Sequence, residues 1–325
     1  MRRALALATG ARRRTPPNPW VGCVLVTTDG QVFEGATAPP GGHHAEADAL
    51  AAARAAGADL RGSTLYVTLE PCCHFGRTPP CADAIVAAGV ARVVASVEDA
   101  DAQVQGQGFA RLRAAGVTVE TGLLAGEARQ QLAPYFKHRR TGRPWVTLKL
   151  AATLDGRTAA PDGSSRWITG SAARADVHRL RAEHDAVLVG AGTVRVDDPS
   201  LTVRGVDGPD PQRVVLGRVP PGAKVAPALE LAGPPGDVLD ELGRRGILAV
   251  LVEGGATVAH QFHEARLVDR YVLYFAPAMF GGDDGQPVFR GKGGPTIDDL
   301  WRGRIVDVRR LGDDLRIDVA PPEEQ

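Results

Sequence analysis

The chain has 325 residues, 44% of them apolar, with 38 Lys+Arg against 38 Asp+Glu. That length exceeds one ordinary domain and points to two, each with enough apolar residues for a core of its own. The balanced charge excludes a nucleic-acid or anionic-membrane surface spread over the whole chain, and no apolar run reaches the roughly 18 residues that a membrane-spanning helix needs.

Residues 1–28 hold five arginines and no acidic residue, as a transit peptide would. No apolar segment of signal type follows, and Asn18 already belongs to a motif used below, so the segment reads as mature protein. "VGCVLV" (21–26) and "QVFEGA" (31–36) flank Asp29-Gly30 and predict a β-hairpin. "HAEADALAAARAA" (44–56) predicts a helix closed by Gly57, "TLYVTL" (64–69) a strand, and "CADAIVAA" (81–88) a helix with Pro80 at its start and Gly89 past its end. A strand at "ARVVASV", a helix at "GFARLRAAG", a short strand at "VTVETG" and a helix over 124–139 complete a layered α/β domain. The polar, Gly/Pro-bearing "KHRRTGRP" places a domain boundary near residue 143, giving domains at 1–143 and 144–325.

The second half restarts with a strand at "PWVTLKLAATLDG" (144–156). Later strands are "AVLVG" (186–190), "RVVLG" (213–217), "LAVLVEGG" (248–255) and "RYVLYFAP" (270–277), and "ARADVHRLRAEH" is helical. This is a second α/β domain. The Pro/Gly-rich stretch 219–236 reads as a long loop, followed by a short helix at "DVLDELGRRG".

Three of the four cysteines fall within "EPCCHFGRTPPC" (70–81). Four cysteines in so long a chain are no disulfide scaffold, and a reducing cytoplasm is the expected compartment. His44 opens a helix, Cys72 ends a strand and Cys81 opens the next helix. One imidazole and two thiolates make a three-ligand Zn2+ shell, one ion per chain, that leaves the fourth position open. Glu46 lies two residues beyond His44, near enough to exchange a proton with a water at the metal without being a ligand. This is the H-x-E…P-C…C logic of zinc deaminases. Two alternatives stand beside it: a structural zinc finger that recruits Cys73 or His74, and a Cys72–Cys81 disulfide. Cys73 is expected to point away from the metal and Cys23 to be a core residue. Nucleic-acid and nucleoside deaminases resemble P-C-x-x-C, whereas eight residues separate Cys72 from Cys81 here. The inserted His and Arg suit a larger, phosphorylated substrate.

The second half carries no G-x-G-x-x-G after its first strand. "VEGGATV" and "VGAGTV" each follow a strand with a glycine turn of the kind that cradles a pyrophosphate, a tight turn being the plainer alternative. Arg218, just beyond "RVVLG", is a candidate clamp for a cofactor phosphate, against the alternative of a solvated loop arginine.

"NPWVGCVLV", "HAE" and "LEPCCHFGRTPPC", followed by "GRPWVTLKLAATLDGRTA", "GSSRWIT", "VLVGAGTVRVDDPSLTVR" and "LVEGGATVAHQF", resemble the bifunctional riboflavin-biosynthesis deaminase–reductase family over nearly the whole chain. The resemblance implies a cytidine-deaminase-like three-layer domain followed by a dihydrofolate-reductase-like α/β domain. It implies hydrolytic deamination of a phosphoribosylated diaminopyrimidine, then NADPH reduction of the ribosyl to the ribityl chain. It places Asn18 on the pyrimidine, and His74 and Arg77 near the ring and phosphate. Lys149 and Glu253 fall at the ribose, and Ser165, Arg181, Leu201 and Arg204 in the substrate and phosphate pocket. Ala151, Trp167, Thr193, Asp197 and the turn of Gly255, Ala256 and Thr257 fall at NADPH, with a packed core tryptophan as the alternative for Trp167. It also implies a homodimer or a higher homo-oligomer. Two matches fail: Thr37 stands where the family often has His, and the family's D-P-N-P segment is here Asp99 to Ala102. The link at 217–236 is shorter than the family's, which predicts a missing peripheral strand and helix. Competing readings are a deaminase whose second half is only an oligomerisation module, and a zinc-stabilised RNA-binding protein. Zero net charge disfavours the RNA reading, and retention of Lys149, Asp197 and Glu253 disfavours the module reading.

Overall fold

The computed structural model describes residues 1–75 and 79–322. The chain divides into two compact units, Met1–Arg143 and Pro144–Gln325.

The first unit runs α1 (Arg2–Ala11), β1 (Gly22–Val26), β2 (Val32–Ala36), α2 (Ala45–Ala55), β3 (Thr64–Val67), α3 (Cys81–Ala87), β4 (Arg92–Ala95), α4 (Gln107–Ala114), β5 (Thr118–Thr121), α5 (Ala125–Gln131) and α6 (Ala133–Thr141). Its five strands are ordered β2-β1-β3-β4-β5. β1 is antiparallel to β2 and β3, and β3, β4 and β5 are parallel, joined by helical crossovers. Two glycines explain how helices cover both faces. A Cβ on Gly22 would stand 1.9 Å from the Ala4 carbonyl of α1, and one on Gly35 would stand 2.1 Å from the Ala45 carbonyl of α2. Gly35 is opposite Cys23, so it shares a face with Cys23 and not with Gly22. The two helices therefore lie on opposite faces, giving three layers. Cys23 is fully buried, as expected of a core strand residue.

The expected helix over 124–139 is two helices that meet at Leu132. Pro134 lies in the first turn of α6, where its missing N–H costs nothing, although it could not continue the ladder of α5.

The second unit runs β6 (Trp145–Thr153), β7 (Arg157–Ala159), α7 (Ser171–Ala182), β8 (Ala186–Gly190), α8 (Ala191–Asp197), β9 (Gln212–Leu216), β10 (Leu229–Leu231), α9 (Pro235–Arg244), β11 (Ala249–Val252), α10 (Ala256–Glu264), β12 (Arg270–Ala276), β13 (Gln286–Pro287), β14 (Arg304–Leu311) and β15 (Asp314–Ala320). Eight strands form one sheet, ordered β10-β9-β8-β11-β6-β12-β15-β14. It is parallel from β10 to β12 and antiparallel beyond. The unbroken apolar runs "AVLVG" and "AVLV" suit central parallel strands buried on both faces. Alternate residues separate the cores. Leu188, Val250 and Val252 pack with Leu239, Leu242 and Phe262 of α9 and α10, whereas Leu251 and Val272 pack with Leu180 of α7.

α7 is also tied to the sheet by polar groups. Asp176 accepts hydrogen bonds from Tyr274 Oη and Arg316 Nη1, both at 2.7 Å, and Arg316 grips Asp318 at 2.7 and 2.9 Å.

The stretch 219–236 is not wholly loop. Leu229–Leu231 pairs with β9 as the edge strand β10, and Pro235 begins α9. Proline is tolerated in a first helical turn, so the expected short helix starts two residues earlier than read, and only the edge strand was hidden by the Pro/Gly-rich composition. An edge strand is thus present where a missing one was expected. The hairpin of β14 and β15 had no counterpart in the sequence reading.

Candidate active sites

In the first unit, α2 and α3 begin at the end of the sheet where β3 gives way to Cys72. His44 is the N-cap of α2, and its ring turns away from the helix amides. Its Nδ1 lies 3.5 Å from Cys72 Sγ and 3.5 Å from Cys81 Sγ. The ligand atoms of these three residues lie within 4.8 Å of one another, and no fourth His, Cys, Asp or Glu joins them among the described residues. Both cysteines are free thiols, which removes the disulfide alternative. Cys73 Sγ faces the Gln103 carbonyl instead, at 3.7 Å. Amides of α3 hold Cys72 in place: Cys81 N–H donates to its sulfur and Ala82 N–H to its carbonyl. The cluster fits a tetrahedral cation that keeps one open position.

Glu46 is 4% exposed. Burial, reinforced by the charge of Cys72, pushes its carboxyl up to about 7. Hydrogen bonding with Cys81 draws the Cys72 thiol down to about 4 and drives that of Cys81 up.

His44, Glu46 and Cys72 line a cavity of about 360 Å³. Asn18, Thr37 and His74 line it, as do Glu70, Asp99, Asp101, Tyr135 and Arg139. Arg77 lies outside the described residues. The sequence reading assigned no role to Glu70, Tyr135 or Arg139 and treated Thr37 and Asp99–Ala102 only as departures. One signal was available: Asp99 and Asp101 follow β4, and open α/β sheets meet ligands beyond the carboxyl ends of their strands. Glu70 fixes that segment. Its Oε2 accepts the amides of Asp99 and Gly106 at 3.1 and 3.0 Å, and its Oε1 that of Phe109 at 3.1 Å. Gly108 allows this approach, because a Cβ there would stand 2.0 Å from the Pro71 carbonyl.

In the second unit, Arg181 of α7 holds Glu253 through two parallel bonds, Nε–Oε1 at 2.6 Å and Nη2–Oε2 at 3.0 Å. Lys149 Nζ of β6 stands 3.9 Å from the same carboxylate. Burial lowers the Lys149 ammonium, against the pull of Glu253. Arg181 Nη1 also donates to the Thr202 carbonyl, and His178 Nδ1 lies 3.1 Å from the same carbonyl and 3.2 Å from the Arg204 amide, pairing with one or the other according to its tautomer. His178 went unnoticed in the sequence, where nothing distinguishes it from a surface helical histidine. The neighbouring parallel strands β8 and β11 each end in a glycine turn. A Cβ on Gly254 would meet Val258 at 2.6 Å, and Gly255 N–H donates to Thr193 Oγ1 at 3.2 Å.

Family models match on both units. Residues 1–97 match the cytidine and deoxycytidylate deaminase zinc-binding region, and residues 144–317 match the RibD C-terminal domain. The riboflavin biosynthesis protein RibD of Escherichia coli K12 is 38% identical over 97% of this chain and 96% of its own length. That of Mycobacterium tuberculosis H37Rv is 42% identical over 94% and 92%. The chain belongs to the RibD family. Among solved structures, RibD of Acinetobacter baumannii superposes with a TM-score of 0.92 at 37% identity over 99% of this chain and 98% of that one. The Thermotoga maritima diaminohydroxyphosphoribosylaminopyrimidine deaminase/5-amino-6-(5-phosphoribosylamino)uracil reductase gives 0.90 at 34% identity over 99% and 97%.

As a RibD protein, the chain is a bifunctional enzyme of riboflavin biosynthesis, with a zinc-binding deaminase domain and a reductase domain. The two folds are the cytidine-deaminase-like and reductase-type α/β layers implied by the resemblance. The residues that RibD resemblance assigns to the reductase sit as follows. Lys149, Arg181 and Glu253 form one half-buried cluster. Thr193, Gly255, Ala256 and Thr257 gather at the paired glycine turns, Ala151 is half-buried on β6, and Asp197 ends α8. Its carbonyl accepts from Arg166. Trp167 is 70% exposed, with Arg174 stacked 4.7 Å from its ring, so it is no core tryptophan. Leu201 is 2% exposed and packs with Val187, Val189 and Val215, so its side chain belongs to the core and only its backbone is open to a ligand role. Ser165 is half-buried, and Arg204 and Arg218 are exposed.

Proposed function

We propose that the first unit hydrolyses 2,5-diamino-6-(5-phosphoribosylamino)pyrimidin-4(3H)-one, and that the second reduces the product with NADPH. The observation that carries the first half is the cluster of His44, Cys72 and Cys81, two of which line one cavity with the buried Glu46. When bound there, zinc supplies the Lewis acidity that makes water nucleophilic at neutral pH. In the balanced reaction, water adds at C2, the C2–N bond breaks, and carbonyl and ammonia form. Glu46 receives the water's proton and delivers protons to the ring nitrogen and the leaving amine, the task of a buried carboxyl beside the metal that is not itself a ligand. Asn18 orients the pyrimidine, and His74 and Arg77 the ring and phosphate ends.

In the second unit, NADPH supplies the hydride, and the chain's task is placement and exclusion of water. Lys149 and Glu253 hold the ribose near C1′, while Arg181, Ser165, the backbone of Leu201 and Arg204 receive the rest of the substrate. The glycine turns lie at the starts of α8 and α10, directly after two neighbouring parallel strands, where a pyrophosphate would be received; Gly254 keeps its turn close against Val258, and Gly255 N–H ties the two turns together through Thr193. Ala151, Trp167, Thr193, Asp197, Gly255, Ala256 and Thr257 line this cofactor site, with Arg218 at the adenosine phosphate. No helix among the described residues is long and apolar enough to cross a membrane. A cytoplasmic homodimer that binds neither nucleic acid nor membrane completes the reading. The exposed edge strand β14 supports self-association, since antiparallel pairing about Val308 brings Asp307 of each copy beside Arg309 of the other.

The deciding experiment is a cut after Arg143. The first fragment should release ammonia from the diaminopyrimidine, and the second should oxidise NADPH only with the deaminated product. A soluble second fragment without NADPH turnover would replace the reductase assignment with that of an oligomerisation module.

A further inference from the structure

The wall of the deaminase cavity formed by residues 99–101 and α6 carries more acid than recognition of one substrate needs. Asp99 and Asp101 both line the cavity, two residues apart, and Glu70 lines it behind them. An aminopyrimidine presents N–H groups, for which a carboxylate is a fitting acceptor. A second uncompensated carboxylate beside it would repel the first and favour its protonation.

α6 treats the two acids differently. Tyr135 Oη donates to Asp99, at 3.1 Å from Oδ1 and 3.3 Å from Oδ2. Arg139, one turn on, places Nε 3.3 Å from Asp101 Oδ2 and lays its guanidinium 5.1 Å above the Tyr135 ring. Asp99 is therefore oriented by a neutral donor and keeps its charge available, whereas Asp101 is matched by a cation. The three amides held by Glu70 keep this segment from shifting.

We propose that Arg139 is a specificity-determining positioning residue of the deaminase: by neutralising Asp101 and bracing Tyr135, it leaves Asp99 as the one anionic acceptor on this wall for the N–H groups of the aminopyrimidine. The charged and titratable groups that share the cavity with Asp99 are Glu70 beyond β3, Asp101 on its own segment, Tyr135 and Arg139 on α6, and Glu46, His44, Cys72 and His74. Burial pushes Asp99 up to about 6, and the charges of Asp101 and Glu70 push the same way. Uncovering Asp101 therefore raises Asp99 further, and substrate binding is lost at a higher pH as the solution is acidified.

The test is steady-state deamination by the zinc-loaded full chain between pH 5 and 8. Arg139→Gln should raise KM by less than about twofold at pH 7 and by about two- to fivefold at pH 6, with kcat within about threefold, and should move the acid limb of kcat/KM upward by about half a pH unit to one unit. Arg139→Lys, which keeps the charge, should retain most of the parent's KM. The decisive arm is Arg139→Gln combined with Asp101→Asn, which removes both charges and should return KM and the acid limb close to the parent's. Zinc content and reductase turnover should match the parent in all three variants. A double variant as impaired as the single one would overturn the proposal, because it would make Arg139 a packing residue or a direct ligand, and so would a single variant with unchanged KM and limb. The proposal rests on the deaminase assignment. A parent chain that releases no ammonia would sink that assignment, whereas an active parent with an unrescued double variant sinks the proposal alone.

Discussion

Arg181 and Glu253, 72 residues apart, meet through two parallel hydrogen bonds at 2.6 and 3.0 Å, and the same carboxylate faces Lys149 at 3.9 Å. One anion thus serves two cations in a site with little solvent. Glu253→Gln leaves both cations without a counter-ion. It should destabilise the second unit by roughly 3 kcal/mol, the lower end for a broken buried pair because Lys149 keeps some contact with water. NADPH turnover should collapse while ammonia release persists. Parallel assays and thermal unfolding check this, and equal loss of both activities would contradict it.

The zinc cluster predicts that two adjacent cysteines behave differently. Cys72→Ser should lose the metal and deamination, and Cys73→Ser should keep both, since its sulfur faces Gln103. Metal analysis of the two purified variants decides. Equal zinc loss would mean that Cys73 is a ligand.

Glu46→Gln keeps the shape of the buried side chain and removes the proton carrier. The metal should stay, and deamination should fall by about 10²–10⁴-fold, the usual range for a lost general acid–base group. Reduction of already deaminated substrate should be unaffected. Loss of zinc in this variant would place Glu46 among the ligands.

The pH dependence of stability should report on Asp176. Burial would raise this carboxyl, but hydrogen bonds from Tyr274 and Arg316 outweigh it and hold it below the usual value. A group depressed in the folded state stabilises fully above its unfolded pKa, about 3.9, and that contribution is lost as pH falls through the folded value. Asp176→Asn should therefore lower the unfolding midpoint of the second unit at pH 7 and flatten its decline below about pH 4. A parallel decline in parent and variant would show that other carboxylates dominate acid unfolding.

Arg218 tests cofactor choice. It is exposed beyond β9, where water screens its charge. If it reads the adenosine 2′-phosphate, Arg218→Ala should raise KM for NADPH by at most about tenfold, in keeping with one charge-assisted contact, and leave that for NADH unchanged. Equal changes for the two cofactors would exclude it as the reader.

The central strands and the convergence of His44, Cys72 and Cys81 were legible because their signals are local. "AVLVG" can hardly be other than a buried strand, and His44, Glu46, Cys72 and Cys81 sit at helix starts and a strand end marked by Pro and Gly. The pairing of Arg139 with Asp101 was not legible, since it joins an ordinary helical arginine to a loop acid 38 residues away in a "DADA" that matched no pattern. The edge strand β10 was hidden by Pro and Gly on both sides, and β14 by charges facing water on an edge. Leu201 was legible as a motif position but not as a core residue, because burial depends on β8 and β9 closing over it.

The place of β6 in its sheet also bears on how the chain is made. It is the first strand of the second unit to leave the ribosome and one of the most interior, between β11 and β12. Its partners begin only at Ala249 and Arg270, about 100 residues later. At about 5–20 residues per second, the apolar Val146, Leu148 and Leu150 wait roughly 5–20 s for cover. The newborn second unit is thus exposed to misassociation for that interval, so its yield should depend on translation speed and chaperone supply, whereas the first unit, whose strands pair with near neighbours, can complete itself while the rest is still being synthesised.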